Sequence, residues 1–146
     1  MTKSTLDREI ETRLYEHDAR YTKGRQVVVA ALIRAPGPLS AAELSEELGP
    51  DVPLSSIYRT LSVLEDAGVV DHHLGAKGLT RFELAEWLTG HHHHLVCVAC
   101  GSVEDIDIPP ALEASVRGLV SEIAALASFD ATDHALEIEG RCQRCA

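Results

Sequence analysis

The first half of the chain carries apolar residues at helical spacing, interrupted by glycine and proline. This spacing predicts a first helix that begins after Ser4 and ends before Tyr21, because serine caps helices and apolar residues recur every fourth position. A second helix is predicted from about Arg25 to Ile33. The residues of these helices that we expect to face a core are Leu6, Ile10, Leu14, Val27, Val28, Ala31 and Leu32.

Two further helices are predicted before Gly68. Ser40 can cap a short third helix, and Glu43 three residues later completes a capping box. The fourth helix is predicted from Ser56 to Ala67, and Gly68 ends it. Its inward-facing residues are expected to be Ile57, Leu61 and Leu64.

After Gly68 the apolar pattern becomes that of strands. Residues 69–74 and 80–84 predict a hairpin, with a turn at residues 75–78. Three short helices followed by a hairpin match the winged-helix plan, in which the last helix enters the DNA major groove. We therefore expect residues 1–86 to form a winged-helix DNA-binding domain, with a hinge near residues 86–90.

The second half alternates strand, helix and strand. Strands are predicted at residues 92–98, 103–108 and 132–139, and a helix from the Pro109-Pro110 pair to about Leu126. We expect residues 87–146 to form a small α/β dimerisation domain. Because this unit is too thin to hold a large core, metal and a partner subunit would supply stability. The predicted fold class is α+β.

Composition and charge narrow the class of protein. The chain is 45% apolar and 25% charged, as in folded globular proteins. It has neither a bilayer-length apolar run nor an apolar signal core, so we expect a cytoplasmic protein without a membrane partner. The net charge is −10, but residues up to Gly68 carry 8 basic and 11 acidic groups against 5 and 12 afterwards. The acidic excess lies in the second half, which leaves a DNA-binding first half open.

The four cysteines form two CxxC pairs, Cys97/Cys100 and Cys142/Cys145. In a cytoplasmic chain this pattern favours metal over disulfides, because two such pairs place four thiolates around a tetrahedral zinc ion. Four free thiols or a redox pair are the alternatives. We predict a structural zinc ion that joins the end of the chain to the histidine-rich strand.

Four consecutive histidines, residues 91–94, lead directly into Leu95-Val96-Cys97. Alternate residues of a strand face opposite sides, so His91 and His93 can serve one metal site while His92 and His94 serve another. A pH-sensing cluster is the alternative. Candidates for the remaining ligands are Asp71, His72, His73, Glu83, Glu86, Glu113 and His134.

Several segments together resemble the ferric uptake regulator (Fur) family. The stretch from His91 to Glu104 is similar to the family signature, and Ser55–Leu61 to its recognition helix. Thr22–Arg25 resembles an earlier helix start of the family, and Cys142–Cys145 its closing cysteine pair. The resemblance runs from about residue 20 to the C-terminus. It implies a homodimeric, metal-activated repressor that binds palindromic operators when loaded and releases them when metal is scarce.

The resemblance also implies three metal sites. The four cysteines correspond to the structural zinc site, and Glu83, His92 and His94 to a regulatory site at the hinge. His91, His93 and His134, with Glu113, correspond to a third site. The implied cofactors are a structural zinc ion and a regulatory divalent ion, which could be iron, zinc or manganese.

Two departures from the family pattern concern the regulatory site. The family's iron sensors commonly have histidine where Pro38 stands, so the fourth regulatory ligand remains open among Asp71, His72 and His73. Peroxide sensors of the family tend to have aspartate at the position of Glu83, which disfavours that role.

Candidate DNA contacts lie on the predicted fourth helix. We expect Tyr58 and Arg59 to contact DNA, and Lys23 and Arg25 to contact phosphates. The recognition-helix segment adds Ser55, Ser56 and Thr60 to these candidates.

Two other functions are compatible with part of the sequence. A zinc-ribbon interaction module without sensing explains the cysteines but leaves the histidines unused. A metallohydrolase with Glu83 or Glu104 as general base is disfavoured because the sequence has no HExxH motif. We therefore expect no enzymatic activity.

Overall fold

The computed structural model describes residues 4–74 and 78–146, so the predicted turn at residues 75–78 lies outside the described residues except for Gly78. The helices described are α1 (Thr5–Glu16), α2 (Lys23–Arg34), α3 (Ala41–Leu48), α4 (Leu54–Asp66), α5 (Glu86–Thr89) and α6 (Pro110–Leu126). The strands are β1 (Val70–Leu74), β2 (Thr80–Leu84), β3 (His93–Cys97), β4 (Val103–Ile106) and β5 (Glu137–Gly140). This mixture of helices and sheets confirms the α+β class.

Side-chain caps set where the first three helices begin. Ser4 and Thr22 accept hydrogen bonds from backbone N–H groups in the first turns of α1 and α2. Ser40 and Glu43 form the predicted capping box of α3, each side chain accepting from the other residue's N–H. Helix α4 begins two residues earlier than predicted, because Pro53 occupies its N-cap with φ at −61°.

The main core lies between α1–α4 and the β1–β2 hairpin. Val27 was predicted to be buried, but it is 43% exposed, whereas Val29 is 1% exposed. The three consecutive valines left the orientation of α2 ambiguous in the sequence, and packing against α3, α4 and β2 decided it. The largest fully buried side chains of this core include Ile10, Leu14, Leu44, Ile57, Leu61 and Leu64.

The β1–β2 hairpin completes the winged-helix arrangement of the first half. The strands pair antiparallel, from Val70 opposite Leu84 to Leu74 opposite Thr80. Leu39, just before α3, forms a bridge with Phe82 through two backbone hydrogen bonds of 2.8 and 2.9 Å. These bonds hold the hairpin against the helical part of the first half. One side of β2 faces the second half of the chain.

The second half is built on a three-stranded sheet with the order β4-β3-β5. Strand β3 pairs antiparallel with β4 and parallel with β5, and α6 provides the crossover between β4 and β5. The prediction of a strand from Thr132 was wrong for residues 132–136, because pairing with β3 begins only where the His94 N–H donates to the Leu136 carbonyl.

Helix α5 joins the two halves. It spans residues 86–89 of the predicted hinge, and Gly90, with φ at 90°, ends it. The predicted domain boundary between residues 86 and 87 therefore falls inside this short helix and stays a prediction.

Many apolar side chains of the second half are exposed. Its buried apolar residues include Val96 and Val103, whereas α6 and β5 expose Leu112, Leu119, Ile123, Leu126 and Ile138 by more than half. Among the described helices, none combines the length and apolar character that crossing a bilayer requires.

Candidate metal centres and nucleic-acid interface

The four cysteines lie together at one end of the three-stranded sheet. Parallel pairing places Cys97, at the end of β3, beside Gly140, two residues before Cys142. The thiols of the four cysteines all lie within 4.8 Å of one another, and Cys100 Sγ is 3.8 Å from Cys142 Sγ. Two knuckles that are 41 residues apart in sequence are thus brought face to face.

The acidity of these thiols favours a role as ligands of a metal cation. Hydrogen bonds from the backbone N–H groups of Cys142 and Cys100 lower the pKa of Cys97 to about 5. Hydrogen bonding to Cys142 and Cys100 instead raises the pKa of Cys145 to about 12. The four thiols therefore cannot all ionise on their own. A divalent cation that prefers four sulfur ligands in a tetrahedron would stabilise all four thiolates.

A second cluster joins Glu83, His92, His94 and Asp105. Glu83 comes from the hairpin of the first half, and the other three come from β3, its entry and β4. Both histidines direct Nε2 inward: His92 lies 2.9 Å from Glu83 Oε2 and 3.4 Å from Asp105 Oδ1. His94 lies 3.1 Å from Glu83 Oε1 and 3.2 Å from Asp105 Oδ1. Two imidazoles and two carboxylates therefore converge where the halves of the chain meet.

The electrostatics of this cluster favour positive charge. Burial would raise the pKa of Glu83, but hydrogen bonds from His73, His94 and His92 hold it well below its usual range. Asp105 and Glu83 raise the pKa of His94 to about 10. The imidazole is therefore protonated at neutral pH unless a cation takes the place of the proton.

His92 has a second contact that orients its ring. Its Nδ1 is 3.1 Å from the carbonyl oxygen of Gly90, so an Nδ1–H group can donate there and leave Nε2 free as a ligand. Burial lowers the pKa of His92, whereas the hydrogen bonds to Gly90 and Glu83 raise it, and the net shift is upward. The geometry and the donor types of the cluster both fit a divalent metal ion.

The fourth corner of this cluster is a residue that the sequence analysis missed. Asp105 lies directly opposite His94 in the β3–β4 ladder. Antiparallel pairing of the two predicted strands brings it there only in the register that pairs Val96 with Val103. The ladder register, which no local pattern specified, was the missing information.

The three residues that were candidates for this corner are not among the four whose ligand atoms converge. His73 Nε2 is 2.6 Å from Glu83 Oε1, and its ring stands edge-on to His94, so it flanks the cluster. His72 pairs with Glu65 of α4. Asp71 and His73 line a cavity together with the cluster residues Glu83, His92 and His94.

A third cluster contains His91, His93, Glu113 and His134. Glu113 lies in the first turn of α6 and receives His93 at 2.7 Å, His134 at 2.9 Å and His91 at 3.2 Å. The hydrogen bond from His93 lowers the pKa of Glu113. All four residues come from the second half, and the odd-numbered histidines face this cluster while the even-numbered ones face the other. The group Glu86, His91 and Asp133 borders it and shares His91.

The predicted DNA contacts lie on the outer side of the first half. Ile57, Leu61 and Leu64 turn inward from α4, whereas Tyr58 is 55% exposed. Thr60 is partly buried, and Arg25 on α2 donates to the carbonyl of Arg20. The exposed candidates are Ser55, Ser56, Tyr58, Arg59 and Lys23.

Comparisons with known proteins show which family the chain belongs to. The sequence model of the Ferric uptake regulator family matches residues 16–139. The Ferric uptake regulation protein of Legionella pneumophila is 41% identical over 99 residues, which cover 68% of each chain. The peroxide-responsive repressor PerR of Staphylococcus saprophyticus is 30% identical over 147 residues, which cover 97% of this chain and 94% of its own.

A solved structure shows the same fold. The crystal structure of the Vibrio cholerae ferric uptake regulator superposes with a TM-score of 0.68 at 31% identity, covering 90% of this chain and 98% of the other. The relatives are transcription regulators, which removes the metallohydrolase alternative. The family match spans most of the chain and includes both halves, so the chain belongs to the ferric uptake regulator family of metal-responsive transcription regulators.

Proposed function

We propose that the chain is a homodimeric repressor that binds palindromic operator DNA when a divalent ion occupies the cluster of Glu83, His92, His94 and Asp105. One observation carries this proposal: the cluster takes ligands from both halves of the chain. Glu83 moves with the winged-helix hairpin, and the other three ligands move with the sheet of the second half.

We call the cluster of Glu83, His92, His94 and Asp105 the shared cluster. It can control DNA binding through the angle between the two halves of the chain. Glu83 can complete a coordination shell with the other three ligands at only one angle. In a dimer that angle sets the separation of the two α4 helices, which must match half-sites about 34 Å apart. Without an ion the angle varies, and DNA binding must then include the cost of ordering it.

The exposed apolar face of the second half supports a dimer. Leu112, Leu119 and Ile123 of α6 are each more than half exposed, and β5 is exposed at the edge of its sheet. A second copy of the chain would bury both features. A half of the chain that is too thin to hold a large core is expected to need such a partner.

Helix α4 supports the DNA contacts. Tyr58 and Arg59 project from its outer side, while its inner side packs in the core. We propose that they contact base edges or adjoining phosphates in the major groove, with Ser55, Ser56, Thr60, Lys23 and Arg25 around them. Because the target is operator DNA, the proposed location of the protein is the cytoplasm.

The other clusters have different proposed roles. The four cysteines would hold a structural zinc ion that ties β3 to the end of the chain. His91, His93, Glu113 and His134 all belong to the second half, so an ion there would stabilise that half without setting the angle. For the shared cluster we propose a ferrous or manganous ion. Its two carboxylates and two imidazoles suit these ions better than a set of thiolate ligands would.

The test begins with a DNA sequence selected from a random duplex pool by the Mn²⁺-loaded protein. Fluorescence anisotropy then follows binding of that duplex across a Mn²⁺ titration. We expect the parent chain to gain affinity with Mn²⁺ and the variant His92→Ala/His94→Ala to lose this response. His72→Ala is the matched control, because His72 pairs with Glu65 outside the cluster.

Two results would contradict the proposal. One is a double variant that still responds to Mn²⁺ like the parent. The other is a parent chain that retains zinc but selects no duplex, which would favour a zinc-binding interaction module without sensing.

A further inference from the structure

The two halves of the chain also touch through protein contacts that involve none of the candidate ligand side chains. The contacts lie along residues 101–105, which run from the Cys97–Cys100 knuckle into β4. From the first half they are made by Arg81 of β2 and by the loop between α2 and α3, including Pro36 and Gly37. We call this set the β4 clamp.

Arg81 forms one arm of the β4 clamp. It is only 5% exposed, and its Nη2 donates to the carbonyl of Gly101 at 2.7 Å. Its Nη1 donates within the first half, to Glu43 at 2.7 Å and to the Pro38 carbonyl at 3.3 Å. Arginine is suited to this task, since its planar fork can bridge several acceptors at fixed angles.

Burying the Arg81 guanidinium takes a charged group out of water, which costs free energy. Its Nε atom has no hydrogen-bond partner among residues 4–74 and 78–146. A buried charge whose donors are incompletely paired is a weak source of stability, and in some proteins such groups are retained because they specify one geometry. Here the geometry specified is the contact between β2 and the knuckle.

Gly37 forms the other arm. A Cβ atom at residue 37 would lie 2.2 Å from the Val103 carbonyl oxygen and 2.9 Å from the Glu104 Cα. Beside it, the backbone N–H of Asp105 donates to the Pro36 carbonyl at 2.8 Å. The loop thus lies along the edge of β4 so closely that only glycine fits.

The β4 clamp and the shared metal cluster use the same two strands. Arg81 and Glu83 are two residues apart on β2 and so face the same side. Asp105 holds the Pro36 carbonyl through its backbone while its carboxylate belongs to the metal cluster. Contacts between β4 and both β2 and the loop therefore also favour the position of Glu83 opposite Asp105.

We propose that Arg81 and Gly37 are positioning residues that narrow the range of angles between the two halves before an ion arrives, so that the ligands of the shared cluster lie together more of the time. This inference deepens the proposed function. Its claim about ion binding stands without that function, and only its consequence for DNA binding rests on it. Preassembly reduces the ordering cost that an incoming ion must overcome, and so raises the affinity of the cluster.

The main test is Gly37→Ala, which adds one methyl group where backbone atoms of β4 already lie. Mn²⁺ binding is followed by electron paramagnetic resonance in two backgrounds. The first lacks the third cluster through His91→Ala/His134→Ala, and the second lacks the shared cluster through His92→Ala/His94→Ala. We expect Gly37→Ala to weaken Mn²⁺ binding about tenfold or more in the first background. In the second background we expect a change of less than about twofold, because all four ligands there come from the second half.

Controls separate the clamp from general damage. Gly24→Ala is the matched substitution, because a Cβ at Gly24 meets nothing within 4 Å. Arg81→Lys keeps the charge but loses the fork, and we expect it to weaken Mn²⁺ binding in the same background as Gly37→Ala. Small-angle X-ray scattering of the zinc-loaded protein without Mn²⁺ should show a larger radius of gyration for Gly37→Ala than for Gly24→Ala.

The outcomes distinguish this proposal from the proposed function. Equal Mn²⁺ affinity of Gly37→Ala and the parent, or an equal loss in both backgrounds, overturns the β4 clamp. If the parent shows no Mn²⁺-dependent DNA binding but Gly37→Ala still weakens Mn²⁺ binding selectively, the β4 clamp stands and the proposed repressor function fails.

Discussion

His94 on β3 lies directly opposite Asp105 on β4, with its Nε2 atom 3.2 Å from Asp105 Oδ1. This cross-strand pair connects the histidine run to a carboxylate eleven residues further along the chain. Glu83 reaches the same point from the hairpin of the first half, at 3.1 Å from His94. The pair therefore forms the fixed side of a cluster whose other side belongs to the DNA-binding half.

Asp105→Asn should weaken divalent ion binding at the shared cluster by about 100-fold, because an anionic ligand is replaced by a neutral one. Titration with Mn²⁺ in the His91→Ala/His134→Ala background measures this directly. Glu104→Gln is the control, since the neighbouring side chain faces the other side of β4. Equal affinities of Asp105→Asn and Glu104→Gln would show that Asp105 is not a ligand.

Ion binding at the shared cluster should strengthen as pH rises from about 6 to 8. Neighbouring carboxylates raise the pKa of His94 to about 10, so the ion must displace its proton throughout this range. Glu83 stays ionised there because its pKa is lowered. The logarithm of the affinity should rise by about one for each pH unit and each proton displaced. Mn²⁺ titrations at three pH values give the slope, and a slope of zero would contradict the expected displacement.

Cys142→Ser should remove the structural zinc ion and destabilise the second half. The four thiols join β3 to the end of the chain, and the apparent binding energy of such zinc sites is on the order of 10 kcal/mol. We expect Tm to fall by more than about 10 °C and the dimer to dissociate. Elemental analysis, thermal unfolding and size-exclusion chromatography measure these effects. Ser102→Ala should keep its zinc, and zinc retained by Cys142→Ser would rule out the four-thiolate site.

Arg59→Ala should weaken binding of the selected duplex by about tenfold or more without changing its Mn²⁺ affinity. The exposed outer side of α4 carries this residue, while the core-facing side keeps the helix in place. Arg34→Ala removes the same charge elsewhere in the first half, where Arg34 pairs with Glu47. Equal DNA affinities of the two variants would place the DNA contact on another surface.

Local patterns in the sequence predicted most of the elements. The Ser40 and Glu43 capping box, the apolar spacing of α4 and the change of period after Gly68 each depend on residues within a few positions of one another. The same holds for the CxxC pairs and for the alternation of the histidine run. Short-range hydrogen bonding and side-chain direction determine such features, so they can be read along the chain.

Other features depend on partners that are distant in sequence. Val29 rather than Val27 is buried because α2 packs against three other elements at once. Residues 132–136 do not extend β5, and His134 contacts Glu113 instead. Neither result has a local signal, because burial and pairing are properties of the assembled fold.

By itself, the sequence determined the winged-helix pattern, the two cysteine pairs and the two faces of the histidine run, since each is encoded in local spacing. Only the tertiary structure brought Asp105 to the shared cluster and Gly37 against β4. These contacts depend on the register of β3 with β4 and on how the two halves pack. Register and packing minimise the free energy of the whole chain rather than of a segment, so they appear only when the chain is folded.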